Sequence, residues 1–133
     1  MLRNAVITRI IGTVLPLSGR VYQAYLAPST VQKPYATVKA GAIRGSPGLN
    51  YAGTVAVEVY IYTDQTSYIG LDAIEKEVVA ALHGKEIVDV ESMRYFLQWE
   101  SSPGDFVDEE KRLIGRQVVF GAAILYEPGG GGA

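Results

Sequence analysis

His83 is the only histidine among the 133 residues, and the chain has no cysteine. General-base and zinc chemistry lean on imidazole or thiolate, so disulfides, thiol nucleophiles and cysteine-ligated metals are excluded. The segment Leu82-His83-Gly84 suits a helix C-terminus. There the imidazole meets the dipole favourably and Gly84 can take the left-handed closing position. The densest carboxylate group is Asp105, Asp108, Glu109 and Glu110. A calcium loop alternates its oxygen ligands about a turn glycine and ends on a distal Glu; this run has a different spacing and reads as a solvated acidic loop. Gly45, Gly48 and Gly53 lack the Gly-Lys-Ser/Thr ending of a phosphate loop and precede a strand where such a loop opens a helix. The serines occur in Ser-Gly, Ser-Pro and Ser-Ser pairs, never in a Gly-x-Ser-x-Gly elbow. Catalysis would therefore need groups that converge only in space, such as Glu58, Arg116 and Asp105 around a deep pocket. No cofactor and no metal are expected.

Nine tyrosines are the more informative excess. Tyr22, Tyr25, Tyr35, Tyr60, Tyr62, Tyr95 and Tyr126 fall in expected strands. Interleaved with basic residues such as Lys39 and Arg44 they could stack nucleic-acid bases. Tyrosine is equally the residue for packing with one wet end, in sheets and protein interfaces. Charge favours the second reading: twelve Lys and Arg are scattered along a chain of formal net charge -2, whereas phosphate binding needs them clustered.

At this length, with 48% hydrophobic and 20% charged residues, a single globular domain over 1–127 is expected, with a disordered Gly-rich tail over 128–133. Arg9 interrupts the apolar N-terminus, which reads as a helix and not a signal peptide. No apolar run approaches a membrane span of about 20 residues, so no membrane partner is expected. The lack of cysteine fits a reducing, cytoplasm-like setting.

The elements that must position these groups follow from periodicity. In Thr54–Thr63, Val55, Val57, Val59 and Ile61 alternate strictly with Ala56, Glu58, Tyr60 and Tyr62, which predicts a central strand with one aliphatic face. Residues 2–15 read as a helix with a wide apolar sector, which Pro16 stops. Short strands are expected at 20–26 and 34–43, joined to 54–63 by a long Gly-rich hairpin at 44–53. Asp64 to Ser67 offers N-caps for a second helix, with Leu71, Ile74, Val78, Ala81 and Leu82 on one face and an Asp72–Lys76 pair opposite. A strand centred on 94–99 follows, then a turn at 101–105, a connection through Arg112, and a last strand at 116–127. Both faces of that strand are apolar, placing it inside the sheet, and Gly121 would admit a close neighbour. The fold class is thus α+β: a mixed, mainly antiparallel sheet of about five strands with two helices packed on one face, in the order α-β-β-β-α-β-β.

Several stretches carry a resemblance: Arg20-Val21-Tyr22 after a short helix, Lys33-Pro34-Tyr35-Ala36-Thr37-Val38, the Gly-rich hairpin, Val55 to Thr63, Leu82-His83-Gly84, and Gly115-Arg116-Gln117-Val118-Val119-Phe120. Over residues 2–126 the chain resembles the tail-completion or tail-terminator proteins of long-tailed bacteriophages, which sit at the head–tail joint. The resemblance implies a virion protein without catalytic activity, assembled in the bacterial cytoplasm. It implies a homo-hexameric ring that caps the tail tube protein, meets the head–tail connector protein, and lets DNA pass without binding it tightly. Other phage neck or head-completion proteins share similar architecture, and a single-stranded nucleic-acid-binding module is the alternative of a different class. The expected docking loops are the 44–53 hairpin (Arg44, Ser46, Leu49, Asn50, Tyr51) and the 100–114 connection (Asp105, Phe106, Glu109, Arg112).

Overall fold

The structure, a computed structural model, describes residues 2–27, 31–45, 53–64 and 68–126. Its elements are α1 (Leu2–Thr13), β1 (Val21–Gln23), β2 (Tyr35–Gly45), β3 (Gly53–Asp64), α2 (Tyr68–Leu82), β4 (Lys85–Val88), β5 (Arg94–Asp108) and β6 (Leu113–Tyr126), with a 3-10 turn at Leu15–Leu17 carrying Pro16. The strands form one sheet in the order β1-β2-β3-β6-β5-β4. Every pairing is antiparallel except β1 with β2. The α+β reading therefore holds, with six strands where the sequence suggested about five.

The additional strand is β4. Of its four residues only Ile87 is buried, so its alternation is too short to stand out. The larger correction concerns the connection expected over 100–114. β5 runs unbroken from Arg94 to Asp108 and pairs with β6 along its length. Only residues 109–112 turn. The Ser101–Asp105 segment, rich in turn formers, is absorbed by register shifts at Trp99/Ser101 and Ser101/Gly104. Such bulges let Pro103 sit in a strand without leaving a ladder partner unmade. Tyr25 is also displaced from its expected strand: it lies in the turn after β1 with φ +68°.

The core forms where the aliphatic stripe was expected. Val57, Val59 and Ile61 are fully buried and pack with Leu2, Val6 and Ile10 of α1 and Leu71, Ile74 and Val78 of α2. Burying each such side chain stabilises the fold by about 1.5–3 kcal/mol relative to leaving it exposed. β6 lies between β3 and β5, as its two apolar faces required, and Phe120 fills the middle of the core. The helix expected over 2–15 ends at Thr13, and its apolar sector is only partly used, since Ile11 of α1 and Leu15 of the 3-10 turn stay exposed. Helix α1 touches β1 and β2 at one edge of the sheet and β4 at the other, so the sheet bends its edges toward this helix. Gly84 closes α2 with φ +70°, as read from the sequence. Asp64 belongs to β3, and residues 65–67, where the remaining caps were expected, lie outside the described residues.

The turn between β4 and β5 is held by one buried carboxylate. Asp89 Oδ1 accepts the backbone N–H groups of Glu91 (2.9 Å) and Met93 (3.0 Å). Asp89→Ala leaves both donors without that acceptor and is expected to cost about 1–2 kcal/mol. Urea unfolding checks this, and Asp89→Asn, which keeps the oxygen, should cost less than half as much.

Candidate functional site

The two faces of the sheet do different things. Because side chains alternate, Val57 and Val59 point to the helices while Glu58, Tyr60 and Tyr62 point away. On that outer face Tyr35 of β2 lies opposite Tyr62 of β3, and their rings stack at 4.6 Å. Tyr22 meets Tyr35 edge-on at 6.4 Å, and Phe106 of β5 meets Tyr62 edge-on at 5.7 Å. The result is a row of four aromatic rings across β1, β2, β3 and β5, passing over β6. The row can pass over β6 because Gly115 stands there: a Cβ on Gly115 would collide with the Phe106 ring. An open groove of about 620 Å³ runs beside these rings, walled by Tyr25, Asp108, Glu109 and Lys111. Tyr25 is 91% exposed at its mouth, presented by a backbone conformation that non-glycine residues rarely adopt.

The phenols are not poised for acid–base work. Burial raises the Tyr60 hydroxyl to about 12, helped by its donation to Glu58 Oε1 at 3.0 Å. Tyr35 and Tyr62 are raised too, each chiefly by burial. All three remain neutral hydrogen-bonding groups at physiological pH. Gln117 Nε2 donates to the same Glu58 oxygen at 2.5 Å, so Glu58, Tyr60 and Gln117 form one polar cluster on the outer face.

A second charged cluster occupies the opposite face. Arg116 Nε and Nη2 donate to Asp105 Oδ1 (2.5 Å) and Oδ2 (2.8 Å) in a bidentate pair. Its Nη1 donates to Asp72 Oδ1 (2.6 Å) and Glu75 Oε1 (2.9 Å) on α2. The Asp105 hydrogen bonds hold the guanidinium charged, above its usual range, and the same bonds hold the Asp105 carboxyl below the ordinary aspartate value. Glu75 also accepts from Ser102 Oγ, which in turn accepts from Trp99 Nε1 at 3.2 Å. Trp99 N–H donates to His83 Nδ1 at 2.9 Å, so the single histidine anchors β5 to the end of α2. This chain of contacts fastens α2 to the β5–β6 hairpin.

Because the Asp105 pKa is lower folded than unfolded, its contribution to stability is present above the unfolded value near 3.8 and disappears as pH falls through the lowered one. The urea midpoint should therefore drop steeply below about pH 4. The Asp105→Asn variant should lose part of that dependence.

The sequence-selected residues thus divide. Phe106 and Glu109 border the groove, whereas Asp105, their neighbour in sequence, lies on the other face in the Arg116 cluster. Glu58 lies across the sheet from Arg116 and Asp105, so the three groups that could have made a catalytic pocket are not gathered. Arg112 closes the β5–β6 turn with φ +54°, and its carbonyl and that of Lys111 accept from Lys33 Nζ. Arg44 sits in β2 opposite Thr54, while Ser46, Leu49, Asn50 and Tyr51 lie outside the described residues. Asp72, which the sequence paired with Lys76, reaches Arg116. Sequence reading missed Asp72 and Glu75 as partners of Arg116 and Tyr35–Tyr62 as a stacked pair. The tyrosine surplus was the one available signal for the latter. Among the described residues no three His, Asp or Glu side chains are placed to hold a metal, and no helix is long and apolar enough to cross a membrane.

No protein-family model matches the chain, and no curated protein matches it. Among solved structures it is similar to a chain from the virion of a native gene transfer agent particle, with a TM-score of 0.75 and 19% sequence identity. The likeness covers 92% of this chain and 93% of the other, so the two share one fold over nearly their whole lengths.

Proposed function

We propose that the chain is a structural virion protein of a tailed, phage-like particle. It forms a homo-hexameric ring that caps the tail tube and joins it to the head connector. The observation that carries this reading is the near full-length fold likeness to a chain of a gene transfer agent virion. The notable surface features fit a protein that acts by contact. An aromatic row and an open groove lie on a sheet face that neither helix covers, and Ile11, Leu15, Tyr25, Leu26, Ile69 and Val90 are exposed. Contact with copies of itself and with other virion proteins would cover such surface. The mildly acidic chain, with Glu58 beside the tyrosines and Asp108 and Glu109 at the groove, disfavours a base-stacking platform. It suits a ring that DNA traverses without being held.

The assembly test has two parts. Light scattering and electron microscopy of the purified protein at high concentration should give a closed six-copy ring. Deleting residues 46–52 should preserve the circular dichroism spectrum and abolish tail capping or head joining in an assembly assay. A chain that stays monomeric, together with normal particles from the deletion variant, would end this reading.

A further inference from the structure

β5 outruns the strand beside it. β4 pairs with Arg94–Leu97 alone, whereas β6 follows β5 to Asp108. The end of α2 occupies the outer edge a little further: Leu97 accepts the Gly84 N–H at 2.7 Å, and the Trp99 N–H donates to His83 Nδ1. From Glu100 to Asp108, among the described residues, no strand lies beyond β5. Alternate residues of such an edge turn their N–H and C=O groups outward, the template with which another chain pairs. Left straight, an edge of this length would join sheet to sheet.

The residues of this stretch oppose such joining. Between the pairs Ser101–Val119 and Gly104–Gln117, β5 has Ser102 and Pro103 where β6 has Val118 alone. A second extra residue, Glu100, lies between the pairs Trp99–Phe120 and Ser101–Val119. Two bulges so close together bend the strand and raise its twist. Pro103 brings no N–H to pair, and Gly104 takes φ +154°, which residues with side chains rarely adopt. Beyond Gly104 the register is regular again, but Asp108 stands at its end and Glu109 and Glu110 follow at once. A second copy of the same strand would set this acidic run beside its own, and like charges across a strand pair repel.

We propose that the two bulges, Pro103 and the acidic run keep the β5 edge from accepting a strand of a second copy, so that copies of the chain meet through other surfaces and their sheets stay separate. The inference goes beyond the ring reading and does not need it, since it names the contact that assembly avoids. A strand-to-strand contact that repeats without closing builds fibres, and a bent, charged edge denies it a start.

Hydrogen exchange tests this on the unaltered chain. The outward amides of residues 104–108 should exchange equally fast in dilute protein and at the concentration used for light scattering. Slowing by about tenfold or more at the higher concentration would mean that a neighbour covers the edge. That result would overturn the inference whether or not a ring forms. The complementary test opens the edge. Deleting Pro103 leaves Ser102 alone opposite Val118, with the register unchanged on both sides. Asp108→Asn removes a charge and keeps the oxygen that accepts the Lys111 N–H at 3.1 Å. With both changes, self-association should set in at roughly tenfold lower concentration, and the same amides should slow as it does. A variant with the original circular dichroism spectrum and unchanged association would also overturn the inference. If the deletion unfolds the chain, Pro103→Val, which keeps the length and supplies the N–H, carries the same expectation at smaller size.

Discussion

Arg116→Met is expected to lower stability by about 2–3 kcal/mol and the melting temperature by roughly 8–12 °C. The variant keeps the volume and removes the cation, leaving Asp72, Glu75 and Asp105 facing one another around the vacated guanidinium. Arg116 has only 13% of its side chain exposed and Glu75 22%, so water screens that repulsion incompletely. Asp72, 64% exposed, contributes least. A fully buried pair would cost more when broken; the partial exposure of Asp105 sets the lower figure. Adding Asp105→Asn should recover about half of the loss, because it removes one of the three negative charges. Arg116→Lys should fall in between, since an ammonium keeps the charge but cannot make the bidentate contact. Differential scanning calorimetry at pH 7 distinguishes these outcomes. Equal melting temperatures for Arg116→Met and the original chain would mean that the cluster does not hold α2 to the hairpin. Hydrogen exchange should show the loss first in α2 and the β5–β6 hairpin.

The second large effect is expected at Gly115. A valine there drives its side chain into the Phe106 ring, two of whose atoms already occupy the place of a Cβ and a third of which lies 3.0 Å from it. Gly115 is buried and its neighbours are strand backbone, so the ring has to leave. Phe106 then loses its edge-on contact with Tyr62 and its cover over β6. The cost is about 2–3 kcal/mol. Gly121 provides the control. A Cβ at Gly121 meets the carboxylate end of Glu100, an exposed flexible side chain, and Thr54 Cγ2 at 3.2 Å. Gly121→Ala should cost less than about 1 kcal/mol, because the carboxylate can swing aside. In a double-mutant cycle, Phe106→Ala should suppress most of the added cost of Gly115→Ala. Additive effects in that cycle would show that the ring does not lie over Gly115. Displacing Phe106 also removes part of the groove floor.

Much of the fold was legible from periodicity. The stripe Val55-Val57-Val59-Ile61 specified the central strand and its buried face, because a two-residue period can be satisfied only by a pleated strand against an apolar layer. The doubly apolar pattern of 118–126 marked an interior strand, and Leu82-His83-Gly84 marked a helix end. The misreadings came where local chemistry and tertiary pairing disagree. Ser101-Ser102-Pro103-Gly104 has the composition of a turn, yet β6 supplies a long apolar partner, and two bulges absorb the proline at less cost than breaking the ladder. β4 is too short to announce itself and exists because β5 offers it an edge.

Composition alone excluded disulfide and thiol chemistry, set the mild acidity, and gave a surplus of tyrosines without saying where they meet. Only the tertiary structure decided that Tyr22, Tyr35, Tyr62 and Phe106 form one row, since strands far apart in sequence contribute them through register. It also separated Asp105 from Phe106, adjacent in the chain, by the alternation of a strand that the sequence had disguised as a loop. Local patterns fix which face of an element is apolar, because that depends on neighbours two to four residues away. Which polar groups meet across those faces depends on pairing between elements 11 to 44 residues apart in the case of Arg116, and no local rule carries that.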